Sequence, residues 1–151
     1  MLSAANLAPS WKNSQTPRFY VATGEKSKNA VREALPEFNR KNSENASAYI
    51  VTTVVLNRSG FDKDGTAVTE IGNGWGYYDL GLNNMALLLK ATELGISTLV
   101  MGIRDGEKLR KEFDIPETEA VVSVIAVGYT DSEIVRPKRK SVEDFSKFYE
   151  D

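Results

Sequence analysis

The chain has 151 residues, 41% hydrophobic and 26% charged, with a net charge of -2 and neither cysteine nor histidine. That length predicts a single domain spanning 1–151. The slightly acidic balance argues against wholesale nucleic-acid binding through a basic surface. The missing cysteines and histidines remove disulfides, thiolate chemistry, His-dependent triads and most zinc sites. No apolar run approaches the ~18 residues a membrane helix needs, and no secretory pattern opens the chain, so no membrane association and a cytoplasmic location are expected. An enzyme of this composition uses carboxylates, Lys, Tyr or Ser, or holds a cofactor that brings its own chemistry.

Met1 to Leu7 reads as the last turns of a helix. Pro9 to Pro17, PSWKNSQTP, is a polar run bracketed by prolines. It is either a plain turn, which Pro, Ser and Asn favour, or a polar ligand loop. Ser10, Asn13, Gln15 and the backbone amides supply more hydrogen-bonding groups than one turn needs. Arg18 to Thr23 is a short strand candidate. Glu25 to Phe38 carries Ala30, Val31, Ala34, Leu35 and Phe38 on one helical face. Ala48 to Leu56 is β-branched and nearly continuously apolar, which predicts a strand buried on both faces. Asn57 to Gly76 is loop-like, with Gly60, Gly65, Gly72, Gly74 and Gly76.

Tyr78 to Leu94 is the strongest helix, apolar nearly all round, so it is expected in a core or an interface, and a dimer follows. Gly95 stops it. Ile96 to Met101 is a strand, Asp105 caps a helix running to Phe113, and Pro116 lies just beyond. Ala120 to Val127 is another buried strand. The tail from Thr130 is polar, contains RPKRK, and carries a capping pattern at Ser141 to Asp144. Strands alternate with helices, which predicts an α/β or α+β fold.

Three further segments carry possible chemistry. In IGNGWGYYDLG the glycines are not spaced G-x-G-x-x-G, and no buried strand leads in, so the context of a dinucleotide fingerprint is missing. What remains is a flexible loop entering a helix, or a loop over a ligand with Trp75, Tyr77 and Tyr78 as flat contact surfaces. VMGIRDG, from Val100 to Gly106, is a strand–turn–helix junction or a ligand site at a strand's carboxyl end, where Gly102 permits close approach. RPKRK is a solvated basic patch or an anion site for one phosphate.

Four stretches, in order and covering nearly the whole chain, resemble a known family. APSWKNSQTPRFYV is similar to the P-S-x-x-N-x-Q-x-x-x-F loop of the nitroreductase family of FMN-dependent oxidoreductases. YYDLGLNNMALLLKATELGISTLVMGIRD resembles that family's central helix and following strand. DIPETEAVVSVIAVGY resembles its I-P-x-x-E…V-x-x-I-A-x-G-Y segment, and PKRKSVEDF its basic tail. The resemblance implies an α+β fold with a central mixed sheet flanked by helices. It also implies a homodimer with two FMN sites at the subunit interface, and NAD(P)H as co-substrate.

The same resemblance places Pro9, Ser10 and Asn13 against the isoalloxazine, from the partner subunit. Asn39 becomes a polar contact to the flavin or ribityl chain. Val100, Met101 and Gly102 line the ring near its N5 and O4 edge, and Arg139, with Lys138 beside it, holds the phosphate. Trp75, Tyr77 and Tyr78 border the open flavin face where a small acceptor stacks. No side chain is implied as catalytic, because the flavin carries the chemistry. The implied activity is ping-pong hydride transfer from NAD(P)H through flavin N5 to a nitroaromatic, quinone or similar acceptor. A reading from another class is a flavin or small-ligand binding protein of the same fold without turnover. The family's leading helix, with an R-x-S-x-R-type phosphate grip, would lie before Met1.

Overall fold

The computed structural model describes residues 1–133 and 135–150. Helix α1 (Leu2–Ala5) leads through a 3-10 turn at Trp11–Asn13 to strand β1 (Pro17–Ala22). Helices α2 (Glu25–Glu33) and α3 (Glu37–Asn42) precede the strand β2 (Ala48–Val55). Then follow α4 (Gly74–Glu93), β3 (Ser97–Met101), α5 (Gly106–Glu112), β4 (Glu119–Gly128) and α6 (Val142–Phe145).

The strands form one sheet in the order β1-β2-β4-β3. Every neighbouring pair is antiparallel, so the sheet is not the mixed one expected. The reason lies in where β4 goes. β2 and β3, joined through α4, run in the same direction, as the alternation of strands and helices implies. β4 then inserts between them and pairs antiparallel with both. Helices cover both faces. On one, Leu87 of α4 and Ala5 of α1 pack on Ile50 and Ile125. On the other, Val31 of α2 and Leu109 of α5 close over Tyr49, Val51, Val124 and Met101. Covered on both sides, β2 is buried without a break from Tyr49 to Val54.

Two helices depart from the sequence reading. The helix expected over 25–38 is split. Pro36 lacks an N–H and pushes Leu35 away from helical geometry, so Pro36 becomes the N-cap of α3 instead. α4 begins at Gly74, inside what reads as a loop. Gly76 is there for proximity: a Cβ on it would lie 2.9 Å from Val54 Cγ2, so only glycine lets the first turn rest directly on β2. Elsewhere the local signals act as their chemistry dictates. Asp105 accepts from the Lys108 N–H at 3.0 Å, Gly95 takes φ +70° after α4, and Ser141 and Asp144 form the capping box of α6.

α4 is only half covered by this layering. Met85, Leu89 and Leu94 remain exposed on its outer side, and so do Tyr129, Val135, Val142, Phe145, Phe148 and Tyr149 along the tail. Among the described residues no helix is long and apolar enough to cross a membrane.

Candidate functional site

The loop between α1 and β1 has unusual backbone geometry. Lys12, Asn13 and Gln15 take φ values of 45°, 54° and 49°. Asn tolerates the left-handed region, but for Lys and Gln it costs roughly 1–2 kcal/mol each, so the surroundings must impose it. The Trp11 N–H donates to both carboxylate oxygens of Asp79, at 3.1 Å each. Asp79 lies on α4 and is 2% exposed. The Ser59 hydroxyl donates to the same carboxylate at 2.5 Å. It also lies 2.6 Å from the Ser14 hydroxyl and 3.2 Å from that of Thr16. Within the loop, the Gln15 N–H donates to Ser10 Oγ at 2.9 Å, and the Gln15 side-chain amide donates to Asn13 Oδ1 at 3.2 Å. Both contacts use Ser10 and Asn13 as acceptors and leave the Ser10 hydroxyl proton and the Asn13 amide protons to donate. Beside the loop is an open cleft of about 370 Å³ lined by Ser10, Gln15, Arg18, Phe19 and Asn83.

The aromatic residues expected in a loop stand instead on the first turns of α4. The Trp75 indole N–H donates to Thr69 Oγ1 at 2.8 Å. Its ring lies 4.8 Å from that of Trp11, tilted 46°, and meets Tyr78 edge-on at 5.8 Å. Tyr77 and Tyr78 are exposed. The structure therefore joins two predicted groups, Pro9–Asn13 and Trp75–Tyr78, through Trp11. Sequence reasoning missed Trp11 because it weighed only the polar atoms of the loop. An aromatic between Ser10 and Asn13 was the available signal.

A second group forms where β3 ends. The Asn39 amide donates to the Ile103 carbonyl at 3.1 Å, tying α3 to the segment that carries Val100, Met101 and Gly102. Val100 is exposed, whereas the Met101 side chain packs in the core, so Met101 offers a ligand only its backbone. A Cβ on Gly102 would meet nothing within 4 Å, so the space above this backbone is open. Arg104 fastens the turn by donating to the Gly102 carbonyl at 3.2 Å and to the Val121 carbonyl. Phe38 and Ile103 stand next to this contact and are each 74% exposed; the sequence reading put Phe38 on the apolar face of one long helix, which the break at Pro36 undoes, and gave Ile103 no role.

Lys138 and Arg139 are exposed, and Arg139 donates to the Pro137 carbonyl at 3.4 Å. Among the described residues no hydrogen bond or ion pair joins them to either group. The two groups themselves lie toward opposite edges of the sheet, because the loop feeds β1 and the other group ends β3. Three inter-strand spacings, about 14 Å, separate those strands. On the sheet face away from α4, the Tyr20 hydroxyl donates to Glu119 Oε2 at 2.9 Å, and the Thr53 hydroxyl donates to the same oxygen. Burial first, and then the hydrogen bond to Glu119, push the Tyr20 phenol up to about 12.

The residue types in these groups fit a flat ligand with polar edges and a phosphate. An open backbone at Gly102 and apolar Val100 and Ile103 suit its face, and the free donors of Ser10 and Asn13 suit its edge; Lys138 and Arg139, of the type that suits a phosphate, stand apart from both groups.

A sequence profile described as the nitroreductase family matches residues 1–129. No curated protein sequence matches. Among solved structures, a nitroreductase family protein from Streptococcus pneumoniae is similar at 21% identity, with TM-score 0.80, covering 98% of this chain and 86% of the other. A gut-bacterial enone reductase of fatty-acid saturation is similar at 20% identity, with TM-score 0.83, over 97% and 83% of the two chains. A structure described as an oxidoreductase containing FMN is 25% identical, with TM-score 0.73, over 87% and 64%.

Proposed function

Because the chain belongs to the nitroreductase family, we propose that it is an FMN-dependent oxidoreductase, working as a homodimer, that moves reducing equivalents from NAD(P)H to a small acceptor such as a nitroaromatic or quinone. The observation that carries this reading is the separation of two ligand-fitting groups toward opposite edges of one sheet. One flat ring cannot be held by both groups of the same chain. A second copy, bringing its Pro9–Asn13 loop against the first copy's β3 end, would complete a site. The uncovered apolar residues of α4 and the tail supply surface for that copy to bury.

In this reading Val100, Gly102 and the Met101 backbone lie along the ring, and Asn39 contributes its side-chain carbonyl while its amide holds Ile103. Ser10 and Asn13 of the other copy donate to the ring's polar edge. Lys138 and Arg139 hold the phosphate, with the Arg supplying a two-pronged donor and the Lys a point charge. Tyr77 and Tyr78 border the face where NAD(P)H and acceptor stack in turn. FMN, when bound, supplies the hydride transfer; the protein binds, orients and places donors where charge develops.

The test is direct. Purified protein is expected to show flavin absorbance, as isolated or after FMN is added, and to oxidise NADH or NADPH when a quinone or nitroaromatic is present. Colourless protein that takes up no FMN and oxidises neither nucleotide would overturn the reading. Tight FMN binding with no nucleotide oxidation would instead select a flavin-binding protein of the same fold.

A further inference from the structure

We infer that Asp79 is a positioning residue: its buried carboxylate sets the conformation of the Ser10–Asn13 loop and thereby the aim of that loop's donors at the flavin edge. The inference rests on the flavin reading for its last step but not for its first.

Asp79 sits where three segments meet. It belongs to α4, receives Trp11 from the loop before β1, and receives Ser59 from the loop after β2. Both of its oxygens face the Trp11 N–H, and among the described residues no cation pairs with it. A group that only accepts hydrogen bonds, buried this deeply, depends on its donors. The Trp11 N–H and the Ser59 hydroxyl are those donors. The dependence runs both ways. Trp11 directly precedes the left-handed pair Lys12 and Asn13, and Ser59 reaches on to Ser14 and Thr16 on the far side of that pair. The strained segment is thus held at both ends by one carboxylate and one hydroxyl. Ser10 and Asn13, whose side chains keep donors to offer, lie beside and within it. Trp11, packed at a tilt against Trp75, places the same loop against the aromatic turn of α4.

Asp79→Asn can keep this arrangement, since one amide oxygen accepts from Trp11 while the amide N–H donates to Ser59, whose proton turns toward Ser14 or Thr16. Asp79→Ala cannot. The full chain is tested in both variants, with Leu109→Ala, fully buried on the other sheet face, as a control of comparable destabilisation. Two readouts are followed: the rate of native-state tryptic cleavage after Lys12, and the dissociation constant for FMN. Asp79→Ala is expected to speed cleavage at Lys12 and to weaken FMN, each by about tenfold. Asp79→Asn should stay near the parent chain in both, and Leu109→Ala should lower the melting temperature without moving either selectively.

Unchanged cleavage at Lys12 in Asp79→Ala would overturn the inference. So would faster cleavage with unchanged FMN affinity, or an equal effect from Leu109→Ala at equal stability. If Asp79→Ala does not fold, Ser59→Ala replaces it, with the same direction expected and a smaller size. If the parent chain binds no FMN, the flavin reading falls, while cleavage at Lys12 still decides whether Asp79 holds the loop.

Discussion

A single methyl group at position 76 would stand 2.9 Å from Val54 Cγ2, and neither partner is the end of a long side chain that could swing away. Gly76→Ala is therefore expected to cost about 1–3 kcal/mol through overpacking, measured by urea unfolding, even though alanine is the better helix former. Tyr20 gives a pH signature. Its phenol is pushed from an ordinary value of 10.0 up to about 12, so the folded state favours the protonated form. That contribution is complete below the unfolded value and is lost as pH rises through the folded one. Stability should fall between about pH 10 and 12, and Tyr20→Phe should flatten that fall in melting experiments across the range. At this scale the sequence was only partly legible. Ser10, Asn13 and Gly102 could be singled out from residue type alone. That Met101 turns its side chain into the core could not, because its direction depends on which face of an edge strand is covered.

Elements were more legible where their own residues determine them. β2 reads as a doubly buried strand from its β-branched run, and α5 from Asp105 at its cap. α4 is legible from its apolar run but its first turn is not, because glycines at 74 and 76 read as loop when only local propensity is weighed. Tertiary approach overrides propensity there. The helix is seated through Leu87, fully buried against Ile50 and Ile125. Leu87→Ala is expected to cost about 2–5 kcal/mol in denaturant unfolding, among the larger single truncations in the chain. Because α4 also carries Trp75, Tyr78 and Asp79, its seating and the candidate site share one rigid support.

For the whole molecule, the antiparallel arrangement was the feature least visible beforehand. A buried apolar run such as β4 looks the same whichever way its neighbours run, and only the path of α5 and its flanking turns sends β4 between β2 and β3. Under the proposed dimer, the uncovered side of α4 is the contact. Charges at Met85 and Leu89, which are 55% and 64% exposed in the single chain, should leave the fold intact and break the assembly. Met85→Glu with Leu89→Glu is expected to sediment as a monomer at low micromolar concentration with an unchanged far-ultraviolet dichroism spectrum. A monomeric parent chain under the same conditions would count against the dimer.

The placement of the two ligand-fitting groups toward opposite edges has a genetic consequence. If each site takes its loop from one chain and its β3 end from the other, a chain damaged at Asn13 and a chain damaged at Gly102 are each inactive alone yet complement one another. After unfolding and refolding an equal mixture, half of the dimers would be hybrids. Each hybrid has one doubly damaged pocket and one wholly intact pocket, so activity should return to about a quarter of the parent level. A site built from a single chain would return none.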